Sequence, residues 1–467
     1  MPVDLRLDSN EIPLVTDLYE LTMAASYFEL GFNDAACFSM SSRKVPPHRG
    51  FLVAAGLERL LEALEGFRFE QPILDYLDSL KIFGADFLAF LAKLRFTGDI
   101  VAMAEGTVFF ADEPLIEVRG PLIEAQILET LVINQIGMAS LIASKAARST
   151  IAARGHVLVD FGLRRSQGID AGLIAARSSY LAGFAGSSNV LAGRRYGIPL
   201  YGTMAHSYVM AHDRERESFE HFVKLFPKLS TLLVDTYDTV RGVENAAAVA
   251  LELKKAGHRL QAVRLDSGDL LDLSIRARRI LDTNGLQDVT IFASGNLDES
   301  RIAELVEAGA PIDAFGVGTA MVVSADAPAL DVAYKLTEYQ GKPRIKTSQG
   351  KLSLPGRKQV FRAINADNSF YADLIGLADE AGSMVAQEFN PTFGGATCLL
   401  EPQFTAGHRL GHRPTLAESR DRFRDSMASL PARYKGLQDP VKYPVGHTRA
   451  LDATLAAEKI RVAGCQD

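Results

Sequence analysis

Cysteine is scarce in this chain. Its 467 residues hold three, Cys37, Cys398 and Cys465, far apart and in no CxxC pair, which argues against a zinc ribbon and against a secreted disulfide scaffold. Positive charge is not in excess: 50 Lys and Arg stand against 57 Asp and Glu, a net charge of -7. Bulk electrostatics gives no reason to expect nucleic acid as a partner. Long unbroken apolar runs are missing too. The most apolar stretch, residues 126–154, is interrupted by Glu129, Lys145 and Arg148, so a buried or amphipathic helix fits it better than a membrane span. The opening MPVDLRLDSNEIPL carries acids and no apolar core of signal-peptide length. No HExxH motif, internal repeat or low-complexity tract occurs. These absences predict a reduced, cytoplasmic protein that works with neither membrane nor nucleic acid.

What is present is a globular composition, 47% hydrophobic and 23% charged, in a chain long enough for two or three domains. The first third reads as mostly helical, with helices over 18–31, 50–67, 70–82 and 84–95. A strand near 36–41 and hairpins over 97–120 lie among them, and a long helix follows at about 124–153. From residue 156 short apolar runs alternate with helices: VLVDFG, IPLYGTM, STLLVDT, LQAVRLDSG, VTIFASG and IDAFGVGT. That alternation predicts parallel strands with helices outside, an α/β barrel that is at least partly closed. Polar residues cluster at the C-terminal strand ends, where barrel enzymes carry their chemistry. After Pro328 the pattern turns antiparallel, with a hairpin around QGKP. These strands are expected to rejoin the first third. The expected division is 1–135 and 331–467 in one discontinuous domain, with the barrel over 136–330. One helix is expected in the tail, over 416–430.

Four segments carry chemistry. In RLDSGD, Asp266 and Asp269 flank a Ser-Gly turn, which suits Mg²⁺ or ribose hydroxyls, although Asp269 alone fits a helix N-cap equally well. Arg264 beside Asp266 in an apolar strand needs partners. FASGN (292–296) and FGVGT (315–319) are small-residue loops after successive strands, suited to presenting backbone amides to a phosphate. In DFGLRR (160–165), Arg164 and Arg165 offer forked donors and Phe161 a flat face. His206 and Ser207 follow IPLYGTM; a lone histidine is more often structural than catalytic, and His206 with His212 is not spaced as a metal pair.

These segments, in order with TDLYELTM (16–23), GSSNVLAG (186–193) and GTMAHSY (202–208), resemble the nicotinate phosphoribosyltransferase family over roughly residues 10–365. The resemblance implies the type II phosphoribosyltransferase fold, an irregular α/β barrel with an α/β sandwich built from both chain ends. It implies that Phe161 stacks on the pyridine ring, with Tyr19 of the partner subunit on its other face in a homodimer with shared sites. Arg164, Ser187, Ser188 and Ser207 would bind substrate. Arg264 and Asp266 would hold the ribose and pyrophosphate region, with Mg²⁺ on Asp266 and Asp269. Ser294, Gly295, Asn296, Gly318 and Thr319 would cradle the 5′-phosphate. His206 would be phosphorylated by ATP, a co-substrate whose hydrolysis drives synthesis.

The implied substrates are nicotinate and phosphoribosyl pyrophosphate. The ring nitrogen of nicotinate needs no strong base, so the protein must align reactants and stabilise the leaving pyrophosphate. The related nicotinamide enzymes carry an aspartate where this chain has Ser188, which favours a carboxylate-bearing base here. SSRKVPPHRGF (41–51) matches the family loop only loosely, which leaves Arg43 and Lys44 unassigned. Cys398 and Cys465 alone make no cysteine cluster, so no structural zinc is expected. The rivals are a nicotinamide- or quinolinate-type enzyme of the same fold, a non-catalytic phosphometabolite-binding paralogue, and a Schiff-base barrel enzyme. The last would want a lysine at a strand end, and the strand ends named above have none.

Overall fold

The computed structural model describes residues 9–348, 353–389 and 395–464; Cys465 lies outside them. The chain forms two units, one joining Met1–Leu141 to Ala329–Asp467 and the other spanning Ile142–Pro328. Residues 126–154 lie in a short helix, Leu122–Gln126, and a long one, Glu129–Ala153. The most apolar window of this stretch, long enough to cross a membrane, is 67% buried inside the protein.

The first unit holds an antiparallel sheet of seven strands drawn from both chain segments. Ala35–Ser42 pairs with Pro114–Pro121 on one side and with Val332–Tyr339 on the other. Val332–Tyr339 turns back into Lys342–Pro343 through Gln340 and Gly341, both at positive φ, the backbone that a tight hairpin turn demands. Helices from the first third pack their apolar faces into the core of this sheet. Leu57–Glu65 places Leu57, Leu60, Leu61 and Leu64 on one face, all buried, the spacing of an amphipathic helix. Fully burying one such leucine contributes about 1.5–3 kcal/mol. The expected helix over 50–67 is shorter because Leu52–Val53 is a strand and Gly56 turns the chain at φ +93; a Cβ there would meet the carbonyl of Gln135 at 2.3 Å.

A second sheet of four strands includes Lys358–Ile364 and Phe370–Leu377. Between them Arg362 grips Asp373 through Nε and Nη2, and Tyr443 donates to the same carboxylate at 3.1 Å. Glu113, fully buried beside them, accepts from the amide of Phe110 at 2.9 Å through Oε2, while its Oε1 has no donor. The tail carries two helices, Leu416–Ser429 and Arg449–Ala463. The first opens on a capping box of Thr415 and Glu418, and Thr448 caps the second, which the sequence reading did not foresee.

The second unit holds six parallel strands in the order Gly186–Ser187, Val157–Asp160, Ala314–Val317, Thr290–Ala293, Ala262–Leu265, Thr231–Leu233. The two edge strands do not pair among the described residues, so this is an open, curled half-barrel. Short buried apolar strands alternate with helices capped at their starts by Asp238, Asp269 and Asp298. Ile198–Met204, expected as a strand, makes a single bridge at Leu200 to Ser187. Pro199 offers no amide for a ladder, and the small residues Gly186–Ser187 take the edge position.

Candidate active site

The strand order brings the polar ends of the second unit to one edge. From one side to the other it carries Ser187 and Ser188, then Phe161 to Arg165, then Gly318 and Thr319, then Ser294 to Asn296, then Asp266, then Asp235 and Thr236.

Arg264 is the hub. It is nearly buried, and its guanidinium donates in three directions: Nε to Ser294 at 2.8 Å, Nη1 to Thr203 at 2.8 Å and Nη2 to Asp266 at 2.6 Å. Its flat face lies 5.3 Å from the centre of the Phe161 ring. That ring also stacks on Phe292 at 5.5 Å. Gly316 makes the stack possible, because a Cβ there would come within 2.6 Å of Phe161 and 2.9 Å of Phe292. The FGVGT motif therefore spends its first glycine on the aromatic pair.

Asp266 receives Arg264 and the Ser294 hydroxyl on Oδ1. Burial works against its charge, yet Ser294, Arg264 and His206 together hold its carboxyl below the ordinary range. The amide of Asp266 and the hydroxyl of Ser267 both donate to Oδ2 of Asp235. Two carboxylate oxygens here have no protein donor among the described residues, Oδ2 of Asp266 and Oδ1 of Asp235, the latter shielded from solvent. Gly295 sits at φ +91, and a Cβ on it would strike the Asp266 carbonyl at 1.9 Å. His206 begins a short helix, with Nδ1 3.1 Å from the Thr236 hydroxyl and Nε2 3.7 Å from Oδ2 of Asp266.

Some expected roles change. Asp269 caps the helix Leu270–Thr283, its Oδ1 accepting from the amides of Leu271 and Asp272, which is the N-cap alternative of the sequence reading. The Ser294 hydroxyl is consumed between Arg264 and Asp266, which leaves the cradle to backbone groups. The amides of Gly295, Asn296, Gly318 and Thr319 donate to no protein acceptor among the described residues. Ser187 donates to the buried Asp160 at 2.6 Å, and so has no proton left for a ligand. Burial pushes the Asp160 carboxyl up, and hydrogen bonds from Ser187 and Gly162 partly offset this. Ser188 is half-buried and its hydroxyl has no protein partner among the described residues. Arg164 and Ser207 are exposed, and the Arg164 guanidinium is likewise unpaired. An apolar recess of 350 Å³ is lined by Leu163, Ile169, Leu173, Asn189 and Leu191, chain neighbours of Arg164 and Ser188 among them. The sequence reading missed the roles of Thr203, Asp235 and Thr236, although Thr203 lies in GTMAHSY and the other two close STLLVDT.

Three sequence models match in chain order: the nicotinate phosphoribosyltransferase N-terminal domain over residues 14–137, the nicotinate phosphoribosyltransferase family over 156–371 and its C-terminal domain over 357–455. A nicotinate phosphoribosyltransferase of Mycobacterium tuberculosis is 49% identical over 95% of this chain and 93% of its own length. The chain belongs to the nicotinate phosphoribosyltransferase family. Another family member, from Bacillus subtilis, is 38% identical over 93% of each chain. The crystal structure of human nicotinic acid phosphoribosyltransferase superposes with a TM-score of 0.84 at 31% identity, covering 95% of this chain and 99% of that one. The nicotinate-nucleotide pyrophosphorylase of Pyrococcus furiosus superposes with a TM-score of 0.75 at 26% identity, over 92% and 99%.

Within the first unit, Tyr19 lies exposed in the first turn of the helix Leu18–Leu30. Partial burial, then the carboxylates of Glu129, Glu20 and Asp17, push its hydroxyl up to about 12. Arg43 and Lys44 line a 340 Å³ cavity with Lys335, Lys358 and His447. Asp331 pairs with Arg43 at 3.0 Å and Glu117 with Lys358 at 3.2 Å, which lowers the net charge there.

Proposed function

We propose that this chain is a nicotinate phosphoribosyltransferase, joining nicotinate to phosphoribosyl pyrophosphate with coupled ATP hydrolysis, in the cytoplasm and as a step of pyridine nucleotide synthesis. The observation that carries the reading is the pairing of two features on one sheet edge. Four unspent amides follow adjacent strands, and a flat Phe161–Arg264 platform stands beside them. The first suits a 5′-phosphate and the second an aromatic base.

The reaction asks little acid–base chemistry of the protein. The pyridine nitrogen forms a bond to C1 of the ribose as the C1–oxygen bond breaks, and that electron pair leaves with pyrophosphate. Phe161 presents a face for the ring. Ser188 and Arg164 offer donors to its carboxylate. Arg264 supplies fixed positive charge for the leaving group as it becomes electron-rich, already oriented by Thr203, Ser294 and Asp266. The donor-free oxygens of Asp266 and Asp235 are hard ligands, so they would hold Mg²⁺ together with substrate phosphates. The ion would neutralise charge on the pyrophosphate. His206 is read as the ATP-phosphorylated residue, and the exposed Tyr19 supports a homodimer in which Tyr19 of the partner subunit covers the base.

Purified protein is mixed with nicotinate, phosphoribosyl pyrophosphate, ATP and Mg²⁺, and mononucleotide and ADP are followed together, with nicotinamide and quinolinate in parallel. Mononucleotide and ADP from nicotinate alone, with ADP lost in His206→Ala, is the expected result. Product from nicotinamide would overturn the reading of Ser188, and no product from any base would leave a metabolite-binding paralogue.

A further inference from the structure

Among the described residues the ring of His206 makes one hydrogen bond, to a hydroxyl. Its Nδ1 lies 3.1 Å from Oγ1 of Thr236, while its Nε2 points at Oδ2 of Asp266 from 3.7 Å, too far for a hydrogen bond. Thr236 Oγ1 has no other partner among the described residues, so its lone pairs are free to accept. Thr236 follows Asp235, whose carboxylate is tied to the Asp266 amide and to Ser267. The hydroxyl is therefore fixed to the same loop framework that fixes Asp266.

We propose that Thr236 is a positioning residue that sets the tautomer of His206, accepting the Nδ1 proton so that Nε2 carries the lone pair for phosphoryl transfer. This rests on the reading of His206 as the ATP-phosphorylated residue. The Nε2 lone pair forms the new bond to the terminal phosphorus of ATP. The bond from that phosphorus to the bridging oxygen breaks, and its electron pair leaves on ADP. The Nδ1 proton stays on the ring, where the Thr236 oxygen stabilises the positive charge that the imidazole gains. A neutral imidazole has one acceptor nitrogen, and whichever nitrogen is pinned as donor decides which one attacks.

Two measurements on the full-length enzyme test this. The first is ¹⁵N NMR of the His206 ring without ATP, in wild type, Thr236→Val and Thr236→Ser. The expected spectrum shows the Nδ1–H tautomer in wild type and in Thr236→Ser, and its loss in Thr236→Val. An Nε2–H tautomer in wild type overturns the proposal whatever ATP does. The second is the rate and position of histidine phosphorylation by labelled ATP. Phosphate on Nε2 is expected, slowed about tenfold in Thr236→Val and restored in Thr236→Ser. Phosphate on Nδ1, or an unslowed Thr236→Val, overturns it. No phosphohistidine in wild type with the Nδ1–H tautomer intact would instead sink the ATP reading and with it the role assigned to the tautomer.

Discussion

Replacing Arg264 by lysine keeps the charge and removes the geometry. The guanidinium reaches Ser294, Thr203 and Asp266 at 2.6–2.8 Å in one plane and lays its face toward Phe161. An ammonium is a point charge on a flexible stem and cannot span three acceptors in a plane. The favourable case retains Asp266 and loses Ser294, Thr203 and the stacked face. Each charge-assisted hydrogen bond is worth about 1.5–3 kcal/mol. Two of them at the lower end give about 3 kcal/mol, or about 100-fold in kcat/KM. The assay is steady-state nicotinate mononucleotide formation, with the melting temperature measured in parallel to separate chemistry from folding. A variant within fivefold of wild type and equally stable would refute the claim that the forked geometry of Arg264, beyond its charge, serves catalysis.

Ser188→Asp sets a fixed negative charge where the nicotinate carboxylate is read to bind; KM for nicotinate should rise about tenfold or more, and unchanged kinetics would sink the assignment. Asp269→Ala should cost about 1 kcal/mol of stability through the lost cap and leave the Mg²⁺ dependence of the rate as it was; a shifted Mg²⁺ requirement would return Asp269 to the metal site. Glu113 tests the buried acid pair. Burial and then the neighbouring Asp373 push the Glu113 carboxyl well above the ordinary range. A raised folded pKa gives stability that is complete below the unfolded value and is lost as pH rises toward the folded one, by up to about 1.4 kcal/mol per pH unit. Glu113→Gln should flatten the fall in melting temperature between pH 5 and pH 7; parallel curves for variant and wild type would show that no proton is held there.

The parallel strands are legible because four-residue apolar runs end in polar or glycine positions, as at Asp160, Asp266 and Ser294. The edge of that sheet is not legible. Ile198–Met204 has the apolar character of a strand, but its pairing depends on Pro199, and the strand that forms, Gly186–Ser187, is too short to show a pattern. Site residues are found by type more easily than by task. Ser187 and Ser294 look like ligand donors in sequence, yet each gives its proton to a carboxylate of the protein. No spacing rule shows that a hydroxyl already has an acceptor 27 or 28 positions away. Thr203 and Thr236 escape notice for the opposite reason: each stands in a segment with a pattern, but a threonine carries no signal of its own until the fold sets it against Arg264 or His206. The helix Arg449–Ala463 does have a signal, the Thr448 cap ahead of Leu451 and Leu455, weakened by an alanine-rich, nearly featureless face.

The nested order of the units has a consequence during synthesis. Ala35–Ser42 finds Pro114–Pro121 early, but its other neighbour, Val332–Tyr339, leaves the ribosome 290 residues later, counted from 42 to 332. At about 5–20 residues per second that interval is roughly 15–60 s. Throughout it the nascent sheet shows an open edge, while the inserted half-barrel, whose own first strand Val157–Asp160 waits for Ala314–Val317, is completed before the sheet whose strands flank it in sequence can close.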